Sequence, residues 1–135
     1  MLADAGAIYA LADRDDAWHA RVTAWWTGQP RPIFIPATVL PAAAFLLAAR
    51  VGREAEEAFI RSLVNDEVAV APAEPGDLRR AADLMVAYDD LPLSFVDASI
   101  VAMAERLRIS TLLTTRRRHF GIVRPRHVET FMLAP

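Results

Sequence analysis

Short apolar runs alternate with longer amphipathic stretches along this chain, and the alternation predicts its secondary structure. Apolar runs of three or four residues between turn or charged residues are typical of buried strands, and apolar positions recurring every three or four residues are typical of helices. The predicted strands are Met1–Ala3, Ile33–Ile35, Glu67–Val70, Thr111–Thr114 and Phe131–Leu133. The predicted helices are Ala7–Ala12, a helix to Trp26 capped by Asp15 or Asp16, a helix to Arg50 capped by Thr38, Arg53–Val64, Pro75–Tyr88 and Val96–Leu107.

The order of these elements predicts an α/β fold. Strands separated by helices favour parallel pairing, because a parallel neighbour is reached only through a long crossover connection. We therefore expect three layers, with helices on both faces of a central, mainly parallel sheet of four to five strands. A chain of 135 residues is the size of one domain, which we assign to residues 1–135. A turn is predicted at residues 28–32, which contain a glycine and two prolines.

Carboxylates follow an apolar run at two places where a helix begins. Asp4 follows the first predicted strand, and Asp97 opens the helix that runs to Leu107. Ligands in open α/β sheets collect at the carboxyl ends of parallel strands, so two such acids are candidates for one site. Each has a simpler alternative role as a helix N-cap. Asp90, in the loop before Asp97, is either a cap, a surface acid or a group that orients metal ligands.

Composition narrows the class of protein but does not identify an activity. A hydrophobic fraction of 54% and a charged fraction of 24% are typical of a globular protein rather than a disordered one. The chain has no cysteine, which excludes disulfides, thiolate catalysis and cysteine-ligated metals. A formal net charge of −2 neither favours nor excludes a nucleic-acid partner. Without a secretory leader pattern or a long apolar run, a cytoplasmic location with no membrane contact is expected.

Three segments resemble the signature blocks of PIN domains, and their order and spacing resemble those of the VapC toxins of bacterial toxin–antitoxin pairs. The segments are Leu2–Ala7, Leu91–Ala98 and Leu112–Phe120. The resemblance covers nearly the whole chain and implies a PIN-like fold. It also implies a ribonuclease that depends on Mg²⁺ or Mn²⁺, an RNA substrate, a VapB-type antitoxin partner and a homodimer.

The resemblance implies a site of four carboxylates, and two of the four are replaced in this chain. Asp4 and Asp97 stand at the first and third positions, as implied metal ligands and catalytic acids, whereas Ala42 and Arg116 stand at the second and fourth. The formal charge of the site changes from −4 to −1. At ~4 Å and an effective dielectric near 20, one unit charge interacts with another by roughly 4 kcal/mol. We therefore expect weak metal binding, an attenuated or inactive nuclease, and pairing of Arg116 with the remaining acids.

The residues around the implied site have both structural and functional interpretations. Arg117 and Arg118 are either solvated surface residues or contacts for RNA phosphates, and His119 is interpreted as a structural or surface residue rather than as a general base. Three tryptophans have helical spacing and belong either to the core or to a partner-binding surface; they are Trp18, Trp25 and Trp26. With the helix around Ala43–Ala49, they predict a groove for an amphipathic segment of the antitoxin.

Two classes of function stay open at this point. One is a metal-dependent endoribonuclease toxin with a weakened centre. The other is a non-catalytic PIN-like module that binds antitoxin, RNA or both. A regulator phosphorylated on aspartate fits less well, because such proteins need a clustered acidic pair and a lysine, and this chain contains no lysine.

Overall fold

The centre of the protein is a sheet of five short parallel strands. The computed structural model describes residues 1–28, 30, 32–65 and 67–135. Within them the strands are β1 (Leu2–Ala3), β2 (Phe34–Pro36), β3 (Ala69–Ala71), β4 (Thr111–Leu113) and β5 (Met132–Ala134). Their order across the sheet is β3-β2-β1-β4-β5, and every neighbouring pair is parallel. The predicted parallel sheet is confirmed, while two residues of the predicted turn, Gln29 and Arg31, lie outside the described residues.

Helices connect the strands, and all six predicted helices are present. The helices are α1 (Ala5–Ala12), α2 (His19–Gly28), α3 (Leu40–Arg50), α4 (Arg53–Val64), α5 (Pro75–Ala87), α6 (Phe95–Leu107) and α7 (Arg117–Ile122), with one 3-10 turn at Ala37–Val39 before α3. Helix α7 was not predicted, because its six residues are too few to show an apolar repeat. In the described parts of the chain, no helix is long and apolar enough to cross a membrane.

Two apolar clusters cover the two faces of the sheet. Side chains of successive strand residues point to opposite faces, so Leu2 and Leu112 join one cluster while Ala3 and Leu113 join the other. The larger cluster contains most of the buried apolar residues of α3, α5 and α6, and the smaller one contains Val22 of α2 and two alanines of α1. This arrangement confirms the predicted three layers.

The predicted cap at Thr38 was wrong, whereas Asp16 does contact a backbone amide at the start of its helical segment. Thr38 lies inside the 3-10 turn, and its hydroxyl is 2.6 Å from the hydroxyl of Ser99 rather than on a helix amide. The Asp16 side chain accepts a hydrogen bond from the amide of Trp18 at 2.8 Å, as a capping side chain does, and the regular helix α2 begins at His19.

The sheet order places a crevice at the carboxyl ends of β1 and β4. The chain passes from β1 to β2 and β3 on one side of the sheet and then returns to β4 and β5 on the other side. Connections that leave neighbouring strands in opposite directions open a crevice above the carboxyl ends of those strands. Asp4 directly follows β1, and Thr114 directly follows β4, so both side chains lie at this edge.

Candidate functional site

Asp4 is buried at the start of α1, and both of its carboxylate oxygens are hydrogen-bonded. Its Oδ1 accepts from the amide of Ala7 at 2.7 Å, which makes Asp4 the N-cap of the helix. Its Oδ2 accepts from the hydroxyl of Thr114 at 2.5 Å. Burial raises the pKa of Asp4 to about 6, although the hydrogen bonds from Thr114 and Ala7 oppose that shift. The alternative role of Asp4 as a helix cap is therefore real.

Asp97 is buried on the opposite side of the crevice, in the first turn of α6. Its amide donates to the hydroxyl of Ser94 at 3.1 Å, so Ser94 is the N-cap and the cap role considered for Asp97 was wrong. The Asp97 carboxylate instead contacts the side chains of Arg116 and His119. Its Oδ2 lies 3.0 Å from Nη1 of Arg116 and 3.3 Å from Nδ1 of His119.

All four positions implied by the family resemblance line a single pocket of about 200 Å³. They are Asp4, Ala42, Asp97 and Arg116. The negative charge of Asp97 helps to raise the pKa of Asp4, while Arg116 acts in the opposite direction, which indicates that the three groups interact electrostatically. The structure thus joins two acids that are far apart in the sequence. It also places the arginine between the solvent and Asp97, because the Arg116 side chain is 54% exposed and the Asp97 side chain only 4%.

The donor set of this pocket does not fit a divalent cation. Mg²⁺ requires near-octahedral oxygen ligands and keeps several of its waters. Both oxygens of Asp4 already accept hydrogen bonds, one oxygen of Asp97 faces a guanidinium, and Ala42 supplies no ligand. Across the described ranges, no group of three or more His, Asp or Glu side chains could hold a metal ion. The strength of metal binding at this site stays a prediction.

Thr114 is a member of this site that the sequence analysis missed. It is fully buried, donates its hydroxyl proton to Asp4 and accepts from the amide of Arg116 at 2.8 Å. It therefore connects the acid after β1 to the backbone that carries the arginine. A polar residue at the end of a buried strand was the available signal, but Thr114 was assigned to the strand itself. His119, interpreted as structural, lies half-buried against Asp97.

Three other candidate residues lie away from the ion pair of the pocket. Arg117 donates to the carbonyl of Pro135 at 2.6 Å and to that of Leu133 at 3.2 Å, so its guanidinium holds the C-terminal strand. Arg118 is exposed on α7. Asp90 is exposed in the turn before α6, where a hydrogen bond with Asp89 lowers the pKa of Asp90. The roles suggested for these side chains stay predictions.

The three tryptophans all pack against the core, and one of them also lines an apolar groove. Trp26 lines a groove of about 400 Å³ between α1, α3 and α4, opposite Leu47 and Phe59. All three tryptophans pack against the smaller core cluster, and Trp26 also packs against the larger one. The predicted groove exists, but α4 forms much of its wall, and only one of the three tryptophans is found among the described residues that line it.

Comparison with known proteins agrees with this architecture. The sequence model of the PIN domain matches residues 1–121. Ribonuclease VapC26 of Mycobacterium tuberculosis (strain ATCC 25618 / H37Rv) is 30% identical over 135 residues, which span 100% of both chains. The crystal structure of Mycobacterium tuberculosis VapC20, a sarcin–ricin loop cleaving toxin, has a TM-score of 0.81 and 23% identity, covering 87% of this chain and 91% of that chain. The structural likeness confirms the predicted PIN-like fold.

Proposed function

Because the chain belongs to the PIN domain family and is a homologue of the VapC ribonucleases, we propose that it is a VapC-type toxin whose ribonuclease centre is attenuated. The observation that carries this proposal is the ion pair between Arg116 and Asp97 inside the pocket, next to Ala42. A guanidinium there competes with a cation for the same carboxylate oxygen. The scaffold is that of an endoribonuclease, but its remaining acids bind Mg²⁺ or Mn²⁺ weakly.

The charge balance of the pocket supports this proposal. Asp4 and Asp97 are the remaining candidate metal ligands and catalytic acids, and Arg116 cancels the charge of one of them. A divalent cation would compete with the guanidinium for Oδ2 of Asp97, and Ala42 offers it no oxygen ligand. Cleavage of RNA by the chain as written is expected to be slow for this reason.

We further propose that the partner is a VapB-type antitoxin, and that the toxin is a cytoplasmic homodimer acting on RNA. The apolar groove that contains Trp26 and Leu47 suits an amphipathic antitoxin segment, because it is concave and lined mainly by apolar side chains. A basic antitoxin side chain directed at the acidic pocket would meet Arg116. Most of the affinity should therefore come from the groove, and Arg116→Asp should strengthen antitoxin binding through the pocket.

The test of the attenuated centre restores the missing acids. The parent chain is compared with Arg116→Asp, Ala42→Glu and the double variant in calorimetric titration with Mn²⁺, in RNA cleavage and in growth inhibition. We expect the double variant to gain metal binding and cleavage together, with Arg116→Asp contributing the larger share. Arg79→Asp is the matched control, because it makes the same charge change on an exposed side chain of α5 that does not line the pocket. A parent chain that cleaves RNA as well as the double variant would contradict the proposal.

The alternative is a non-catalytic PIN-like module that binds antitoxin or RNA. The poor fit of the pocket to a divalent cation favours it as much as it favours an attenuated enzyme. The same variants separate the two. If the double variant binds Mn²⁺ but still does not cleave RNA, while the parent binds its antitoxin, the binding module is the better description.

A further inference from the structure

Strand β5 forms one edge of the sheet, so one of its sides has no neighbouring strand among the described residues. The order β3-β2-β1-β4-β5 places it last, and it pairs with β4 alone. An edge strand presents a row of backbone donors and acceptors that can pair with a strand of another molecule. Residues 131–134 are all apolar, and Met132 is 60% exposed, which adds to this tendency. A strand from a second copy of the chain is the natural neighbour for such an edge.

The hydrogen-bond register shows which backbone groups of β5 face the open side. The amide of Met132 donates to the carbonyl of Ser110 at 2.9 Å, and the carbonyl of Ala134 accepts from the amide of Thr114 at 2.8 Å. Met132 and Ala134 therefore face β4. In a parallel pair, the N–H and C=O of one residue point to the same side of the strand, and alternate residues point to opposite sides. Leu133, which lies between them, thus directs its N–H and C=O to the open side.

Two arginines bind the carbonyls on this open side. Nη2 of Arg117 donates to the carbonyl of Leu133 at 3.2 Å, and its Nη1 donates to the carbonyl of Pro135 at 2.6 Å. Nη2 of Arg21 donates to the same Pro135 oxygen at 3.2 Å. Proline has no N–H, so Pro135 offers an incoming strand no donor. We call Arg21 and Arg117 the edge clamp.

The geometry of the edge clamp disfavours the approach of a second strand. Arg117 uses both terminal nitrogens of one planar guanidinium, which is the arrangement in which arginine binds two acceptors best. The Arg21 guanidinium lies over the ring of Trp18, 4.6 Å from its centroid, and this contact helps to fix its position. A second copy that paired along β5 would have to displace these hydrogen bonds and would bring its own two arginines toward the same edge.

The opposite edge of the sheet ends in a similar way. Strand β3 pairs with β2, and Pro72 directly follows it. Pro72 again has no N–H, and its carbonyl accepts from Nη2 of Arg106 at 2.9 Å. Both edge strands are thus followed by a proline whose carbonyl is bound by an arginine from a helix. The recurrence at two separate edges supports a role for these arginines at the edges themselves.

We propose that Arg21 and Arg117 keep the β5 edge closed to a strand from a second copy of this chain. The proposal does not depend on RNA cleavage or on antitoxin binding. It gives Arg117 a role at the sheet edge rather than on RNA, because a phosphate would have to compete with two carbonyls that the guanidinium already binds. Contacts with other chains are therefore expected on the helical faces of the protein and not along β5.

The test removes the edge clamp and measures association. Sedimentation velocity over a series of protein concentrations compares the parent with the Arg21→Ala/Arg117→Ala double variant. The double variant should form species larger than those of the parent at about tenfold lower concentration, since two modest hydrogen bonds freed on each copy correspond to about that change in an association constant. Amide hydrogen exchange followed by NMR reports on the edge itself. The Leu133 amide should exchange rapidly in the parent and become protected in the associated double variant.

Two further variants separate strand pairing from other causes of association. Arg118→Ala removes the same charge from an exposed position on the same helix as Arg117, and it should sediment like the parent. Leu133→Pro, placed in the double variant, removes the outward amide and should return the species to the size of the parent. Circular dichroism and urea denaturation identify any variant that associates only because it is unfolded.

Several results would overturn the inference. A folded double variant that sediments like the parent at every concentration would show that the clamp does not control association. Association that persists after Leu133→Pro would place the contact elsewhere, and equal association of Arg118→Ala would reduce the effect to net charge. A Leu133 amide that is already protected in the parent would show that the edge is paired despite the clamp. This last measurement needs no substitution, so it decides the matter even where a variant fails to fold.

Discussion

Replacing Arg116 with alanine should reveal how strongly the arginine stabilises the buried carboxylate of Asp97. The two groups are 3.0 Å apart, and the Asp97 side chain is 4% exposed. At that distance and an effective dielectric of ~20, the pair attracts by about 5 kcal/mol before desolvation is counted. Arg116→Ala removes this attraction and leaves Asp97 with His119 at 3.3 Å as its remaining polar side-chain neighbour in the described residues.

The net effect on the free energy of unfolding is smaller than the raw attraction. Breaking a fully buried ion pair costs ~3–5 kcal/mol, whereas exposed pairs contribute ~0–1 kcal/mol. The Arg116 side chain is 54% exposed, so solvent screens part of the interaction. We therefore expect Arg116→Ala to lower the free energy of unfolding by about 2 kcal/mol.

Urea denaturation at neutral pH measures this loss, with the slope of the transition checked for two-state behaviour. Arg118→Ala is the control, because it removes an exposed arginine from the same helix and should change the free energy of unfolding by less than ~0.5 kcal/mol. Equal stability of Arg116→Ala and the parent would refute the view that the pair anchors Asp97. An equal loss in Arg118→Ala would also refute it, because the effect would then reflect net charge.

Two further predictions concern other buried carboxylates. The pKa of Asp4 is raised from 3.8 to about 6, so its contribution to the free energy of unfolding falls as the pH rises between those values. Above about pH 6, the free energy of unfolding of Asp4→Asn should exceed that of the parent by up to ~3 kcal/mol. Urea denaturation at a series of pH values should show this difference falling toward zero as the pH approaches 3.8. Asp77 is 2% exposed, and its carboxylate accepts hydrogen bonds from Arg106 at 2.9 Å and from the amide of Glu74 at 2.8 Å. Asp77→Ala should therefore lower the melting midpoint and reduce the free energy of unfolding by about 3 kcal/mol. Glu57→Ala should be nearly neutral, because its ion pair is exposed.

Either of these predictions can fail clearly. A parent that gains stability steadily from pH 3.8 to 6 relative to Asp4→Asn would mean that the buried carboxylate is better solvated than its surroundings indicate. An Asp77→Ala variant as stable as Glu57→Ala would show that the link between α5 and α6 does not depend on its ion pair.

The amino-acid sequence by itself determined six of the seven helices that the structure describes, the parallel sheet and the family of the site. Apolar periodicity acts between residues a few positions apart, so it predicts helices such as Arg53–Val64 with both ends correct. The motif after the first strand identified Asp4, and the block before α6 identified Asp97. The replaced positions Ala42 and Arg116 could be named only because the resemblance supplied the order of the four acids.

Helix beginnings were less predictable, because several polar residues near an apolar stretch compete for the same backbone amides. Asp97 and Ser94 stand three residues apart at the start of α6, and each is a good capping residue. The structure selects Ser94, which leaves the carboxylate of Asp97 free to enter the pocket. Thr38 is a different case, because its hydroxyl contacts the hydroxyl of Ser99, 61 positions away in the sequence, rather than a helix amide.

Only the tertiary structure decided which polar groups meet in the pocket. Thr114 and Asp4 are 110 positions apart, and they touch because β1 and β4 are neighbours in the sheet. Arg116 and His119 reach Asp97 because α7 begins directly beyond β4, beside the first turn of α6. Sequence patterns carry information about local neighbours, whereas the order of strands in a sheet depends on the packing of the whole chain. The acids and Arg116 were therefore visible in the sequence through the family resemblance, but the Thr114 hydroxyl and the His119 ring that contact these acids became visible only in the fold.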